Sequence, residues 1–153
     1  MSQISIAKAE LMIQKGPNTD LPEILGKINR IADHVIQIRL ETGNSLVFPI
    51  QIARELKVDY NTFSNLFLFE YGFTLESVFQ MRVIEKVKEL LVYTEQSLKQ
   101  IAKPLGYNNP SSLSYLLKKY TGFTAAYFKQ IRKNKLKIIR RQQEEQSKNL
   151  LSA

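Results

Sequence analysis

The chain has 153 residues and sets 22 basic against 14 acidic side chains, a net charge of +8 with its one histidine neutral. The absence of cysteine excludes disulfides, thiolate metal sites and cysteine nucleophiles, and a single histidine excludes most histidine metal clusters. No apolar run approaches the roughly 18 residues of a membrane span, and no charged-then-apolar leader opens the chain.

The charge is one-sided. Residues 1–76 hold 7 basic and 9 acidic side chains, whereas residues 77–153 hold 15 basic and 5 acidic. A basic half is what a polyanion binder needs, because each neutralised phosphate releases condensed counterions. A charged, solvated tail would give the same count, so charge alone does not decide.

Apolar residues recur at spacings of three and four, which predicts helices almost throughout. Residues 1–15 are mixed in pattern and are interrupted at Gly16, Pro17 and Asn18. Asp20 and Glu23 are spaced as a capping box, predicting a helix from there to about Glu41. Along it Leu21, Ile24, Ile28, Ile31, Val35 and Ile38 form a heptad-like stripe. The stripe suits the domain's own core better than a seam for a homodimer, since Gly26 weakens it and the run is short. His34 on this helix has no partner at ligand spacing and is given no role.

Further on, the chain repeats itself. Residues 63–82 read FSNLFLFEYGFTLESVFQMR and residues 113–132 read LSYLLKKYTGFTAAYFKQIR. Fifty residues apart they share Ser64/Ser114, Leu66/Leu116, Gly72-Phe73-Thr74/Gly122-Phe123-Thr124, Gln80/Gln130 and Arg82/Arg132. Upstream, Ile52-Ala53 and Leu56 match Ile101-Ala102 and Leu105 after a one-residue slip.

Each copy predicts a short helix (residues 50–57 and 98–105), a tight turn and a second helix, which is the helix-turn-helix unit. Ser97 and Gln100 predict a capping box, Gly106 a left-handed turn residue, and Asp59 and Asn109 the caps of the second helices. Pro110 sits just inside the second of these, Gly72 and Gly122 end them, and Thr74 and Thr124 each cap the next helix. Residues 75–93 form a linking helix with Phe79, Val83, Val87, Leu90 and Leu91 on one apolar face.

These residues resemble the DNA-binding domain of the AraC/XylS family of bacterial transcription regulators over residues 24–132. The pattern runs through Arg82-Val83-Ile84, Lys88 to Leu91, Ser97-Leu98, Ile101-Ala102 and Leu105-Gly106-Tyr107. It continues through Ser112 to Ser114, Lys118-Lys119-Tyr120, Gly122 to Thr124 and Tyr127-Phe128. The resemblance implies an all-α fold: two tandem helix-turn-helix subdomains joined by a long linking helix, with an extra N-terminal helical segment. The expected divisions are 1–45, 46–74, 75–93, 94–132 and a basic tail over 133–153.

The resemblance further implies a cytoplasmic, sequence-specific regulator of double-stranded DNA, with each second helix in a major groove. The base-facing candidates are then Asn61, Ser64 and Asn65 in the first module and Ser111, Ser114 and Tyr115 in the second. Lys118 and Lys119 would hold the backbone. RNA polymerase is a candidate partner of such a regulator. No cofactor, metal or membrane is expected. Only about 45 residues precede the first module, which suits a stand-alone member or a fragment of a larger regulator.

The chain departs from the family pattern at three places. Leu68, Phe69 and Glu70 stand where basic residues are common, and the apolar Leu68 and Phe69 are expected to be covered by the opening segment or a second subunit. Pro104 should end or bend its helix early, and Ala125 replaces a usual proline. Residues 129–141 carry seven cations and no acid, suiting a helix along phosphates or a solvated arm, with an anionic membrane ranked last. From Gln142 onward the chain is expected to fray. The competing function is a helical protein-interaction module that has lost DNA reading; an enzyme is set aside for want of a nucleophile–base pair or a phosphate loop.

Overall fold

The computed structural model describes residues 17–152, with side chains from Leu21 onward. The mixed segment over 1–15 and the break at Gly16 lie outside the described residues. Seven helices and no strand are present among those described: α1 Pro17–Thr42, α2 Phe48–Leu56, α3 Tyr60–Tyr71, α4 Leu75–Tyr93, α5 Leu98–Ala102, α6 Pro110–Thr121 and α7 Ala125–Leu151. The fold is all-α, as the resemblance implied.

The described residues fall into two compact units. One runs to Glu85 and takes in Pro104–Gly106; the other comprises Lys86–Lys103 and the chain from Tyr107. The division falls inside α4, so one continuous helix serves both.

In the first unit α1 begins at Pro17, so Asp20 lies inside the helix and not at its start. Proline is at home in a first helical turn, where its missing N–H has no partner to lose. The Glu23 carboxylate meets Lys27 one turn on, at 3.8 Å. The predicted stripe is spent internally. Ile24, Ile28, Ile31 and Ala32 join Phe48, Ile52, Leu56, Val58, Phe63, Phe67, Leu75 and Val78 in one buried cluster. Val35 is also fully buried. A homodimer through this stripe would have to expose the core of the unit.

Phe67 is the hub of that core. Its ring centroid lies 6.2 Å from Phe63, 4.9 Å from Tyr71 and 5.2 Å from Phe73, the last at 87°. The repeated Gly-Phe-Thr thus has a physical reading in this copy. Gly72 ends α3 in a left-handed conformation at φ 79°, Phe73 folds edge-on against Phe67, and the Thr74 hydroxyl accepts the Ser77 amide at 3.0 Å. Arg82 closes the unit with a two-point bond to Asp33 of α1, at 2.8 and 2.7 Å. Arg39 donates to the Leu46 carbonyl at 2.8 Å and to the Leu105 carbonyl at 3.2 Å.

The second unit repeats the scheme. The Ser97–Gln100 capping box forms reciprocally, at 2.9 and 3.1 Å. The α-helix it opens stops at Ala102, short of the predicted Leu105, because Pro104 can donate no helical bond. Val87, Leu91, Ile101, Ala102, Leu113, Leu117 and Phe128 are buried. Arg132, the repeat partner of Arg82, reaches back to the Val92 carbonyl at 3.4 Å and to Glu95 at 3.8 Å.

Two expectations need correcting here. Thr124 makes no side-chain cap; the Tyr127 amide bonds to the Thr124 carbonyl instead, at 3.1 Å. The end of the chain does not fray at Gln142, since α7 continues to Leu151. Glutamine, glutamate and lysine are good helix formers, and nothing after Gly122 is glycine or proline.

The turns differ between copies. The second uses Gly106 at φ 91°, whereas in the first Lys57 takes the left-handed conformation at φ 56°. A side chain there costs about 1 kcal/mol, and a further backbone bond from Val58 to the Ala53 carbonyl fixes the turn. Lys57→Gly is therefore expected to stabilise the protein by about 0.5–1 kcal/mol. In urea this would be a higher midpoint at unchanged slope.

Candidate nucleic-acid interface

The candidate surface is built on the two second helices, and their starts are well fixed. The Asp59 carboxylate accepts from the Thr62 amide at 3.1 Å and from its hydroxyl at 2.9 Å. The Asn109 side chain accepts from the Ser111 amide at 3.0 Å, with Pro110 following as the first helical residue. Both helices end on left-handed glycines whose amides return to Leu68 and Lys118. Caps at both ends hold each helix rigid and fix the direction of its outer face.

On α3 the core takes Phe63 and Phe67. This turns Asn61 and Asn65 outward, both exposed, with Ser64 half-buried between them. The three stand at i, i+3 and i+4 and so share one face. Ser64 is already engaged by Tyr60. Burial pushes the Tyr60 phenol above its ordinary range, the hydrogen bond with Ser64 acts the other way, and the Glu76 charge raises it further.

On α6 the core takes Leu113 and Leu117. Ser111, Ser114 and Lys118 are exposed, as is Tyr115 at 66%. These four follow i, i+3, i+4 and i+7, so the helix gathers them on one face. The Lys118 ammonium turns to the Gly122 carbonyl at 2.9 Å. That of Lys119, also exposed, lies 5.6 Å from the Tyr120 ring centroid.

Not every cation of the basic half is available. Arg82 and Arg132 are held by Asp33 and by Val92 with Glu95, and the Lys135 ammonium donates to the Tyr93 hydroxyl at 3.0 Å while lying over its ring. Lys133, Lys137, Arg140, Arg141 and Lys148 lie along a stretch of α7, from Lys133 to Leu151, in which every residue is exposed.

Two cations escape a reading of the sequence by motif. Arg54 on α2 and Lys103 just after α5 each follow the repeated Ile-Ala, and both are exposed. Among the described residues no acidic side chain pairs with either. The one-residue slip that aligns the Ile-Ala pairs carries the signal. In a helix-turn-helix the first helix crosses the phosphate backbone.

Leu68 and Phe69 are exposed at 45% and 86%. The opening segment expected to cover them lies outside the described residues. No described helix is long and apolar enough to cross a membrane.

Comparison with known proteins agrees with this architecture. A family model described as a helix-turn-helix domain matches residues 52–131, more than half of the chain. Among solved structures, the chain is similar to a DNA-binding transcriptional dual regulator from Escherichia coli K-12. That likeness has 19% identity and a TM-score of 0.55, covering 70% of this chain and 93% of the other. It is also similar to the C-terminal domain of AraT, a response regulator from Geobacillus stearothermophilus, at 24% identity and a TM-score of 0.49, over 67% of this chain and 85% of that one. No curated protein matches it. With two capped helix-turn-helix units and a family match spanning both, the chain belongs to the AraC-type helix-turn-helix family of DNA-binding transcription regulators.

Proposed function

We propose that the protein regulates transcription in the cytoplasm by sequence-specific binding to duplex DNA, with α3 and α6 entering successive major grooves. The observation that carries this is α6: a rigid, doubly capped helix whose outer face holds Ser111, Ser114 and Tyr115 beside two lysines. Serine bonds either base type, and tyrosine packs on a thymine methyl or reaches a phosphate. Lys118 releases the Gly122 carbonyl and, with Lys119, holds phosphates, fixing register without reading sequence. Arg54 and Lys103 do the same from the first helices. Asn61 and Asn65 read bases from α3, with Ser64 free to join them only by leaving Tyr60.

The test separates two kinds of residue in a gel-shift series. Lys118→Ala with Lys119→Ala should weaken binding to every duplex alike and lower the salt slope by about 2. Ser114→Ala or Tyr115→Ala should change which duplex is preferred, at a cost of about 1–3 kcal/mol on the best site. Equal behaviour of the two classes would refute this division of labour.

Exposed Leu68 and Phe69 favour a second reading, a protein-interaction module. Association that ignores salt and needs no duplex would support it; steep loss of duplex binding with salt supports the regulator.

A further inference from the structure

The outer face of α3 differs from that of α6 in a way that bears on what it can read. Fifty residues apart, Leu68 and Phe69 stand where Lys118 and Lys119 stand. Asn61, Ser64, Asn65 and Leu68 follow i, i+3, i+4 and i+7, the spacing with which a homeodomain helix presents four side chains to base edges. At 1.5 Å per residue these four span about 10 Å, or roughly three base-pair steps.

We propose that this α3 face selects A·T base pairs, its asparagine amides pairing with adenine and Leu68 with Phe69 packing on the C5 methyl of thymine. The inference rests on the duplex-binding reading above and names the sequence class of its first half-site.

The face carries no charged side chain of the kind that reads the other base pair, and Ser64, which can bond either base type, is engaged by Tyr60. Two-point recognition of guanine takes arginine or lysine, and α3 contains neither. Recognition of the cytosine amino group takes a carboxylate, and the helix has only Glu70. At 100° per residue Glu70 falls opposite Asn61. What remains is an amide, which matches the N6 and N7 edge of adenine in two-point fashion, and apolar surface, which matches a methyl group. The amides are available, since neither Asn61 nor Asn65 makes a side-chain hydrogen bond among the described residues. Lysine at the corresponding place in α6 has the reach to swing to a helix end or a phosphate. Leucine has no such reach and meets only what lies beneath it.

A protein partner fits less well. A stable interface takes about 800 Å² from each side, and Phe69 with the part-exposed Leu68 offers well under that. The patch is flanked by amides, and a dry interface would leave those unpaired.

The experiment is selection of duplexes from a random library by the full chain, then binding to the selected site with deoxyuridine replacing thymidine. That replacement removes the methyl group and keeps the hydrogen-bonding edge. The half-site that Tyr115→Ala leaves unchanged is the one assigned to α3. It is expected to consist of A·T pairs and to lose about four-fold in affinity for each packed methyl removed. Leu68→Ala with Phe69→Ala should abolish the thymidine–deoxyuridine difference. Both side chains are exposed, so the variant keeps its core, and the deoxyuridine probe works on the unaltered protein in any case.

A G·C-rich half-site, or equal binding with and without the methyls, overturns the inference and leaves the regulator standing. A single motif moved by Tyr115→Ala does the same. Failure to bind any duplex overturns the regulator reading and this one with it. Salt-insensitive protein association lost in the double variant assigns the patch to a protein and overturns the inference.

Discussion

Phe67→Ala is expected to cost about 3–5 kcal/mol, the range for emptying a phenylalanine site in a well-packed core. The residue is fully buried and touches three other rings, Phe63, Tyr71 and Phe73. Little slack is available to close the hole, because Gly72 fixes the end of α3 and Thr74 the start of α4 immediately beyond it. Domains have about 5–15 kcal/mol in total, so this single change consumes a large share of the first unit's stability. Urea unfolding should show it as a lowered midpoint. Amide exchange should show protection lost first in α1, α2 and α3, whose buried residues form one cluster with Phe67. The amides of α6 answer to a separate set around Leu113 and Leu117, and should keep more of their protection. Loss of protection in α6 equal to that in α3 would mean that the two units unfold as one.

That core shows how far the sequence can be read. The repeat displays both second helices with their caps, because Asp59, Asn109, Gly72 and Gly122 act through local backbone geometry that four or five residues determine. The stripe on α1 is legible as apolar, and its shortness favours the internal core. The aromatic rings that it meets, Phe63 and Phe67, lie 25 or more residues away in the chain, and no local rule pairs them. Lys57 is illegible for the opposite reason. Nothing in its type announces a left-handed turn; the backbone bond from Val58 to Ala53 and the burial of Leu56 and Val58 on either side hold that conformation, where the second copy supplies Gly106. The length of α7 exceeds its expectation because a polar chain end can look frayed while being made of good helix formers.

The candidate site divides in the same way. Which residues face outward on α3 and α6 follows from helical period alone, once the core residues are named. Which of those outward groups are already occupied does not. Ser64 is tied to Tyr60 through the fold of a single turn, and the Lys118 ammonium rests on a carbonyl at the end of its own helix. Arg82 and Arg132 belong to the basic half by count, yet both bridge elements far apart in sequence, and only three-dimensional placement removes them from the pool of phosphate-seeking charge.

That distinction sets the largest expected change in binding. Removing Arg54, Lys103, Lys118 and Lys119 together, each to alanine, takes away four proposed phosphate contacts. Each contact adds about 0.9 to the dependence of log affinity on log salt, so the slope should fall by about 3–4 and affinity at 0.1 M salt by about three orders of magnitude. Because these side chains are exposed, the thermal midpoint should hardly move. Arg82→Ala and Arg132→Ala should behave in the reverse manner. The first leaves Asp33 without its two-point partner, and the second frees the Val92 carbonyl and Glu95. Such partly exposed pairs are worth about 0.5–2 kcal/mol of stability, and the salt slope should keep its value because neither guanidinium is free to meet a phosphate. Titrating both sets against one labelled duplex over about 50–200 mM salt, with unfolding monitored in parallel, separates charge that binds from charge that builds. A slope that falls equally in the two sets would show that the internal arginines leave their partners on binding, and the proposed division of the basic residues would then be wrong.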